Sequence, residues 1–326
     1  MAVGTMLDTE TVLDRRRLRR HLGVWRAAAI AGVTLAIGAY LYNGDTVASL
    51  TGRDQIARVT LEGTITEDRK KLKLLKKIAE ADHVAALLLF VNSPGGTTTG
   101  GEALYEALRE VSKKKPVVAQ FGTVAASAGY IVGLACDHIV SRGNTITGSV
   151  GVIVQWPEVS DLLDKVGVKM NEVKSGILKA TPSPFQPLDE EGRKITSEMV
   201  KESYGWFVSL VEERRGIKAS DVPGLTDGRI FSGRQALTYK LVDAIGGEAE
   251  AVSWLETEKG IAKDLKIVDW KPSDGSRFGL TSIAADLARS ATAGALAALG
   301  ERVGESATLR GFSLDGLVSV WHPSEN

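Results

Sequence analysis

The sequence has few of the side chains on which metal and redox chemistry depend. It contains one cysteine, Cys136, and four scattered histidines among 326 residues. A single cysteine excludes an intramolecular disulfide, a thiolate zinc site and an iron–sulfur cluster. We therefore predict no metal and no cofactor, and any catalysis must use other side chains. The histidines, which we interpret as structural or solvated, are His21, His83, His138 and His322.

The sequence also has no excess of positive or negative charge. Forty basic residues balance forty acidic ones, so no global field attracts a nucleic acid, and we predict no nucleic-acid partner. The chain is 44% hydrophobic and 25% charged, which is typical of a globular protein and excludes a disordered one.

Long apolar runs are rare, and the most distinctive one lies near the amino terminus. Residues 27–42 read AAAIAGVTLAIGAYLY and follow an arginine cluster at 15–20. With residues 23–26 the run approaches the roughly 20 residues that span a bilayer, and the basic flank places residues 1–22 in the cytoplasm. We predict a single-pass helix over 23–43 in the cytoplasmic membrane, with the remainder on the extracytoplasmic side. A cleaved signal peptide is the alternative, but the Tyr-Leu-Tyr ending lacks the small residues of a cleavage site.

After a linker at 44–54, the pattern alternates between short apolar runs and amphipathic helices. The run VAALLLFV at 84–91 is typical of a strand buried on both faces. Alternation of this kind predicts an α/β domain with a parallel sheet core, here over residues 55–271. No role is assigned to residues 272–326. The predicted strands are 56–61, 84–91, 116–121, 137–141 and 150–156, and the predicted helices are 67–81, 101–112, 127–136, 158–166 and 189–215.

Two glycine-bearing turns follow predicted strands and precede predicted helices. The first is Asn-Ser-Pro-Gly-Gly at 92–96, whose amides could face a developing negative charge. The second, at 122–130, surrounds Ser127 with small residues. Taken alone, the first can be a plain tight turn and Ser127 can be a helix N-cap, so neither turn by itself establishes a catalytic site.

Together with four further motifs, these turns resemble the signal peptide peptidase A family, peptidase family S49, which has the ClpP/crotonase fold. The resemblance covers about residues 55–250. The motifs are Asn-Ser-Pro-Gly-Gly (92–96), Ala-Ser-Ala-Gly-Tyr (126–130), Thr-Gly-Ser-Val-Gly-Val (147–152), Lys-Ser-Gly-Ile-Leu-Lys-Ala-Thr-Pro-Ser-Pro-Phe (174–185), Asp-Gly-Arg-Ile-Phe-Ser-Gly-Arg-Gln-Ala-Leu (227–237) and Leu-Val-Asp-Ala-Ile-Gly-Gly (241–247).

The resemblance implies a role for each matching residue. Ser127 is implied as the nucleophile, Lys179 as the general base and Ser149 as the residue that orients the lysine. A lysine acts as a base only when neutral, so we expect its site to be desolvated. Lys174 competes for the role of base. The oxyanion hole is implied to consist of the backbone amides of Gly96 and Ala128, with Gly95 as the alternative to Gly96.

The predicted function is that of a membrane-anchored serine endopeptidase that cuts hydrophobic peptides, such as cleaved signal peptides, through an acyl-enzyme. The resemblance also implies a homo-oligomeric ring, an octamer, in which Lys179 acts across a subunit interface. One alternative is a catalytically silent membrane scaffold of the same fold that binds membrane-protein partners. The other is a crotonase-like acyl-CoA enzyme, which the predicted anchor disfavours.

Overall fold

The computed structural model describes residue 23 and residues 25–34, 54–272 and 318–320, the last three by their backbone. The chain divides into two units, residues 1–55 and 56–326. Residues 25–34 are helical and exposed. No helix within the described ranges is both long and apolar enough to cross a membrane. The described residues leave out about half of the predicted anchor at 23–43, all of the segment 1–22 and nearly all of the linker.

The second unit alternates strands and helices as its sequence predicts. Its elements are β1 (Gln55–Glu62), α1 (Arg69–Glu80), β2 (Val84–Ser93), β3 (Gly95–Thr97), α2 (Thr98–Ser112), β4 (Val117–Ala126), α3 (Ala128–Leu134), β5 (His138–Ser141), β6 (Ile146–Gly148), α4 (Ser160–Lys165), α5 (Glu190–Arg215), β7 (Ile230–Ser232), α6 (Gly233–Thr238), β8 (Ala244–Ile245), α7 (Glu248–Glu258), β9 (Lys266–Asp269) and β10 (Val318–Val320).

The main sheet has a parallel core, which confirms the predicted fold class at this level. Its strands follow the order β7-β6-β4-β2-β1-β9, with β5 beside β4 and β8 beside β5. Strand β4 runs parallel to β2 on one side, and on the other side to β5 and then to β6. Strand β7 closes this end antiparallel to β6. Strands β2 and β4 therefore lie at the centre, and both of the glycine-bearing turns follow them.

Both faces of the central strands are buried because consecutive side chains point in opposite directions. Leu87 and Leu89 pack into the larger cluster, together with apolar residues of α1, α2, α3 and α5. Leu88 and Val118 pack into a smaller cluster with Leu255 of α7. This double coverage explains the uninterrupted apolar run of β2 and confirms its interpretation as a strand buried on both faces.

One predicted strand is wrong, and six observed strands, β3 and β6 to β10, were not predicted. Residues 150–156 form no strand apart from a bridge at Ile153; the strand in this region is β6, which ends at Gly148. Gly148 and Ser149 have φ angles of 84° and 52°, so the chain leaves the extended conformation where the predicted strand would begin. Among the missed strands is β3, which has only three residues, two of them glycine, so it shows no alternating pattern that could reveal it.

Candidate active site

Ser127 lies in a strained turn between β4 and α3. Its φ of 57° and ψ of −120° are unusual for a residue with a Cβ atom, and such conformations cluster at functional sites. The residue is 1% exposed. Its N–H donates to the Gly148 carbonyl at 2.9 Å, and its carbonyl accepts from the Tyr130 and Ile131 amides. Ser127 occupies the N-cap position of α3, but its hydroxyl makes no capping hydrogen bond to that helix.

The first two positions of the strand β3, Gly95 and Gly96, require residues without a side chain. Gly95 has a φ of 128°, and a Cβ atom added to Gly96 would lie 1.8 Å from the Ile65 carbonyl oxygen. The Gly95 N–H donates to the Ser93 hydroxyl at 3.1 Å. This bond engages the Gly95 amide within its own segment, and the choice of Gly96 as the donor to an oxyanion stays a prediction.

Small residues bring the two turns together. A Cβ atom added to Gly129 would lie 2.8 Å from the Ser93 carbonyl oxygen, so the first turn of α3 packs directly against the end of β2. A Cβ atom added to Gly101 of α2 would lie 3.3 Å from the Ala128 Cβ. The amide that follows Ser127, that of Ala128, is therefore held near the glycine-rich strand. The two predicted oxyanion donors, Gly96 and Ala128, therefore belong to neighbouring segments, and their role in an oxyanion hole stays a prediction.

Ser149 lies next to the Ser127 turn. Gly148 pairs with Ala126 in the parallel β4–β6 ladder, which places Ser149 one residue beyond the strand end at which Ser127 also lies. The Ser149 N–H donates to the Arg229 carbonyl at 3.0 Å, so the segment 227–237 fixes its position. Ser149 also lines a cavity of about 450 Å³ together with Val152, Tyr204 and Asp227.

Lys179 lies apart from this framework, on an exposed turn in the segment 150–189. Its neighbour Ile177 is 71% exposed. Within the described residues, the Lys179 ammonium makes no hydrogen bond or ion pair. Within the part of the chain that the structure describes, Lys179 is therefore exposed and not desolvated as expected. The competing Lys174 lies 2.8 Å from Glu172, and a base engaged in an ion pair is poorly suited to accept a proton.

The two histidines in the described residues, His83 and His138, pack against aromatic rings, which agrees with their interpretation as structural residues. The His83 ring stacks on Trp270, and the His138 ring stacks on Trp254 with 4.6 Å between the ring centroids. Burial lowers the pKa of His138, although the nearby Asp243 carboxylate opposes the shift. His138 begins β5 and lies at the opposite end of the strand from the glycine-bearing turns.

Three residues of the quoted motifs support the site, but the sequence analysis assigned no role to them. The Asn92 side chain accepts a hydrogen bond from the Val124 amide at 3.3 Å and so links the two glycine-bearing turns. The Thr147 hydroxyl donates to the Ala125 carbonyl at 2.7 Å. The fully buried Tyr130 donates to the Leu241 carbonyl at 2.8 Å, which ties α3 to the segment 241–247. These contacts are tertiary, so the sequence could signal them only through the motifs that contain them.

A strained, buried serine beside a glycine-rich backbone edge is typical of hydrolases that use a serine nucleophile. Comparison with known proteins agrees with this class. The model described as Peptidase family S49 matches residues 109–262, and the one described as Clp protease matches residues 52–143.

Three relatives, each aligned over two thirds or more of its own length, show the family to which the chain belongs. A putative protease of Synechocystis sp. is 40% identical over 65% of this chain and 77% of its own length. A putative protease of Methanocaldococcus jannaschii is 32% identical over 71% and 79%. A putative signal peptide peptidase SppA of Enterococcus faecium is 34% identical over 77% and 68%. The chain belongs to peptidase family S49, and it is a serine peptidase.

Proposed function

We propose that the chain is a membrane-anchored serine endopeptidase that hydrolyses peptide bonds in hydrophobic peptides, such as cleaved signal peptides, with Ser127 as nucleophile and Lys179 as general base. The observation that carries the proposal is the conformation of Ser127. Burial together with a backbone conformation that is strained for any residue with a Cβ atom is typical of a functional position.

The proposed reaction uses the chain's own groups. The Ser127 Oγ attacks the carbonyl carbon of the scissile bond, and its proton passes to the Lys179 Nζ. The Gly96 and Ala128 amides donate hydrogen bonds to the tetrahedral oxyanion. When the intermediate collapses, the C–N bond breaks and the lysine gives its proton to the departing amine. Water then hydrolyses the acyl ester, with the lysine again acting as base, and Ser127 is regenerated. Ser149 orients the lysine.

The exposure of Lys179 supports assembly with further copies of the chain. A neutral lysine needs a desolvated site, which the described residues of one chain do not provide. The segment around Lys179 also exposes many large apolar side chains, and exposed apolar patches commonly mark protein interfaces. We propose that these residues pack against a neighbouring copy in a ring, an octamer, and that Lys179 serves a neighbour's Ser127. The exposed apolar residues are Ile153, Leu162, Val166, Val168, Met170, Val173, Ile177, Leu178 and Phe185.

The proposed membrane location depends on the amino-terminal sequence. The arginine cluster at 15–20 and the apolar run at 27–42 support a single-pass anchor at 23–43 with residues 1–22 in the cytoplasm. The helical conformation and exposure of residues 25–34 are compatible with it. Hydrophobic peptides released within the membrane are natural substrates for a peptidase that is tethered there.

Single substitutions test the assignment of the dyad. Ser127→Ala and Lys179→Ala should each lower kcat by about 10⁴–10⁶-fold, because nucleophile and base act as one unit. Lys174→Ala is the matched control and should retain most of the activity. Ser149→Ala should have a smaller effect, since it removes orientation and not the base. Full activity in Lys179→Ala together with an inactive Lys174→Ala would move the base to Lys174.

Mixed oligomers test whether the site is shared. Ser127→Ala and Lys179→Ala chains, mixed and allowed to exchange subunits, should recover part of the activity because an intact serine can meet an intact lysine across an interface. Recovery should rise with the extent of exchange, measured by native mass spectrometry. If confirmed exchange restores nothing, both residues of the dyad act within one chain.

A further inference from the structure

One edge of the strand β3 already forms backbone hydrogen bonds with Ile65, which precedes it in the chain. The Ile65 N–H donates to the Gly95 carbonyl at 2.8 Å, and the Thr97 N–H donates to the Ile65 carbonyl at 2.9 Å. Backbone groups of consecutive strand residues point to opposite edges. The N–H and the carbonyl of Gly96 therefore face the other edge of β3.

That other edge is occupied by a distant segment of the same chain. Strand β10 pairs antiparallel with β3, with Val318 opposite Thr97, Ser319 opposite Gly96 and Val320 opposite Gly95. Because Gly96 turns both of its backbone groups toward β10, Ser319 is its hydrogen-bonded counterpart in the antiparallel ladder. The segment thus lies along the residue that carries the proposed oxyanion donor.

An extended substrate would use the same edge. Peptides commonly bind proteins by adding a strand to an exposed sheet edge, and the Gly96 amide can reach a substrate carbonyl only from this side. The close packing of Gly101 on Ala128, and of Gly129 on Ser93, places β3 beside the Ser127 turn. A strand on this edge and a peptide on its way to Ser127 therefore exclude each other.

We propose that the segment Val318–Val320 is an intrachain pseudosubstrate, which occupies the peptide-binding edge of β3 and limits the access of peptides to the active site. This inference rests on the proposed function. A segment on the same chain competes at an effective concentration of up to about millimolar, whereas three paired residues leave the contact weak enough for a good substrate to displace. With the segment on β3, a peptide substrate should have a higher KM than it would without the segment, and its kcat should be unchanged.

Two proline variants of the full-length chain in detergent test the pairing. Ser319→Pro removes the N–H that faces Gly96 and should disrupt the strand. Val320→Pro is the matched control, because the N–H of Val320 points away from β3. On a soluble peptide, Ser319→Pro should lower KM at least threefold at unchanged kcat, and Val320→Pro should change neither value. Equal KM values in wild type and Ser319→Pro would overturn the inference.

A binding measurement separates this inference from the proposed function. The probe is a labelled peptide with the sequence of residues 314–322, Leu-Asp-Gly-Leu-Val-Ser-Val-Trp-His. It should bind Ser127→Ala chains more tightly when Ser319→Pro is also present, and N-methylation of its serine amide should abolish binding. If the peptide binds with this pattern but the wild-type chain shows no peptidase activity, the proposed function alone is refuted. Activity without such binding would refute the pseudosubstrate alone.

Discussion

The conformation of Ser127 predicts an unusual effect of glycine on stability. A residue with a Cβ atom at φ 57° and ψ −120° carries strain of about 1–3 kcal/mol, which glycine would release. Ser127→Ala keeps the Cβ atom and the strain, while Ser127→Gly loses both. Both variants lack the nucleophile, so any difference in their stability is independent of catalysis.

The magnitude follows from a comparison with an ordinary buried position. Ala236 is fully buried in the helix α6. Ala236→Gly should cost about 1.5 kcal/mol, because a methyl group is lost from the interior and glycine gains backbone freedom when the chain unfolds. At position 127 the released strain offsets this cost. Replacing the alanine of Ser127→Ala by glycine should therefore change the free energy of unfolding by about 1–3 kcal/mol more favourably than Ala236→Gly does.

Thermal unfolding at fixed protein concentration measures the comparison. For a domain of this size, 1 kcal/mol corresponds to a shift in Tm of about 2–4 °C. Ala236→Gly should lower Tm relative to wild type, whereas Ser127→Gly should unfold near or above the Tm of Ser127→Ala. A decrease at position 127 as large as that at position 236 would show that the turn is not strained, and the main argument for a catalytic Ser127 would fail.

Three other measurements test separate parts of the interpretation. A lysine base predicts that kcat/KM keeps rising above pH 7, whereas a histidine base would level off near its usual pKa of about 6.5. Deletion of residues 1–46 should give a soluble, folded domain, and a chain that stays in the membrane pellet without aggregating would show a second membrane contact. Because burial lowers the pKa of His138, the unfolded state binds its proton more readily, and stability should fall as the pH drops below about 6.5. His138→Phe keeps the ring next to Trp254 and should flatten that loss in urea unfolding, and an unchanged pH dependence would exclude His138 as its cause.

The regular part of the fold could be predicted because local sequence determines it. The lysine-rich segment that became α1 buries Leu75 and Ile78 on one face, and Asp68 caps it by accepting from the Lys70 amide. The apolar run of β2 likewise indicated its own burial. These elements depend on periodicity within about ten residues, which a single sequence displays.

The parts that were missed depend on contacts between distant residues. Strand β3 exists because Ile65 lies against Gly96, and its other edge is paired with a segment more than 200 residues further along the chain. The positive φ of Ser149, which lies directly before the predicted strand 150–156, accompanies a hydrogen bond from its amide to the Arg229 carbonyl. No propensity or hydrophobic period reports such contacts, so only the motifs pointed to these positions.

The two halves of the proposed dyad have opposite structural surroundings. Ser127 is buried between central elements of the sheet, so its position is fixed by the folding of one chain. Lys179 lies on an exposed turn with exposed apolar neighbours, and none of the described residues covers it. A lysine that a second copy covers loses the water that stabilises its charge, which favours the neutral form that a base needs. If the proposed dyad is correct, folding alone supplies the nucleophile and assembly supplies the base. An isolated chain would then be folded but inactive, which protects the cell from a peptidase that is not yet assembled.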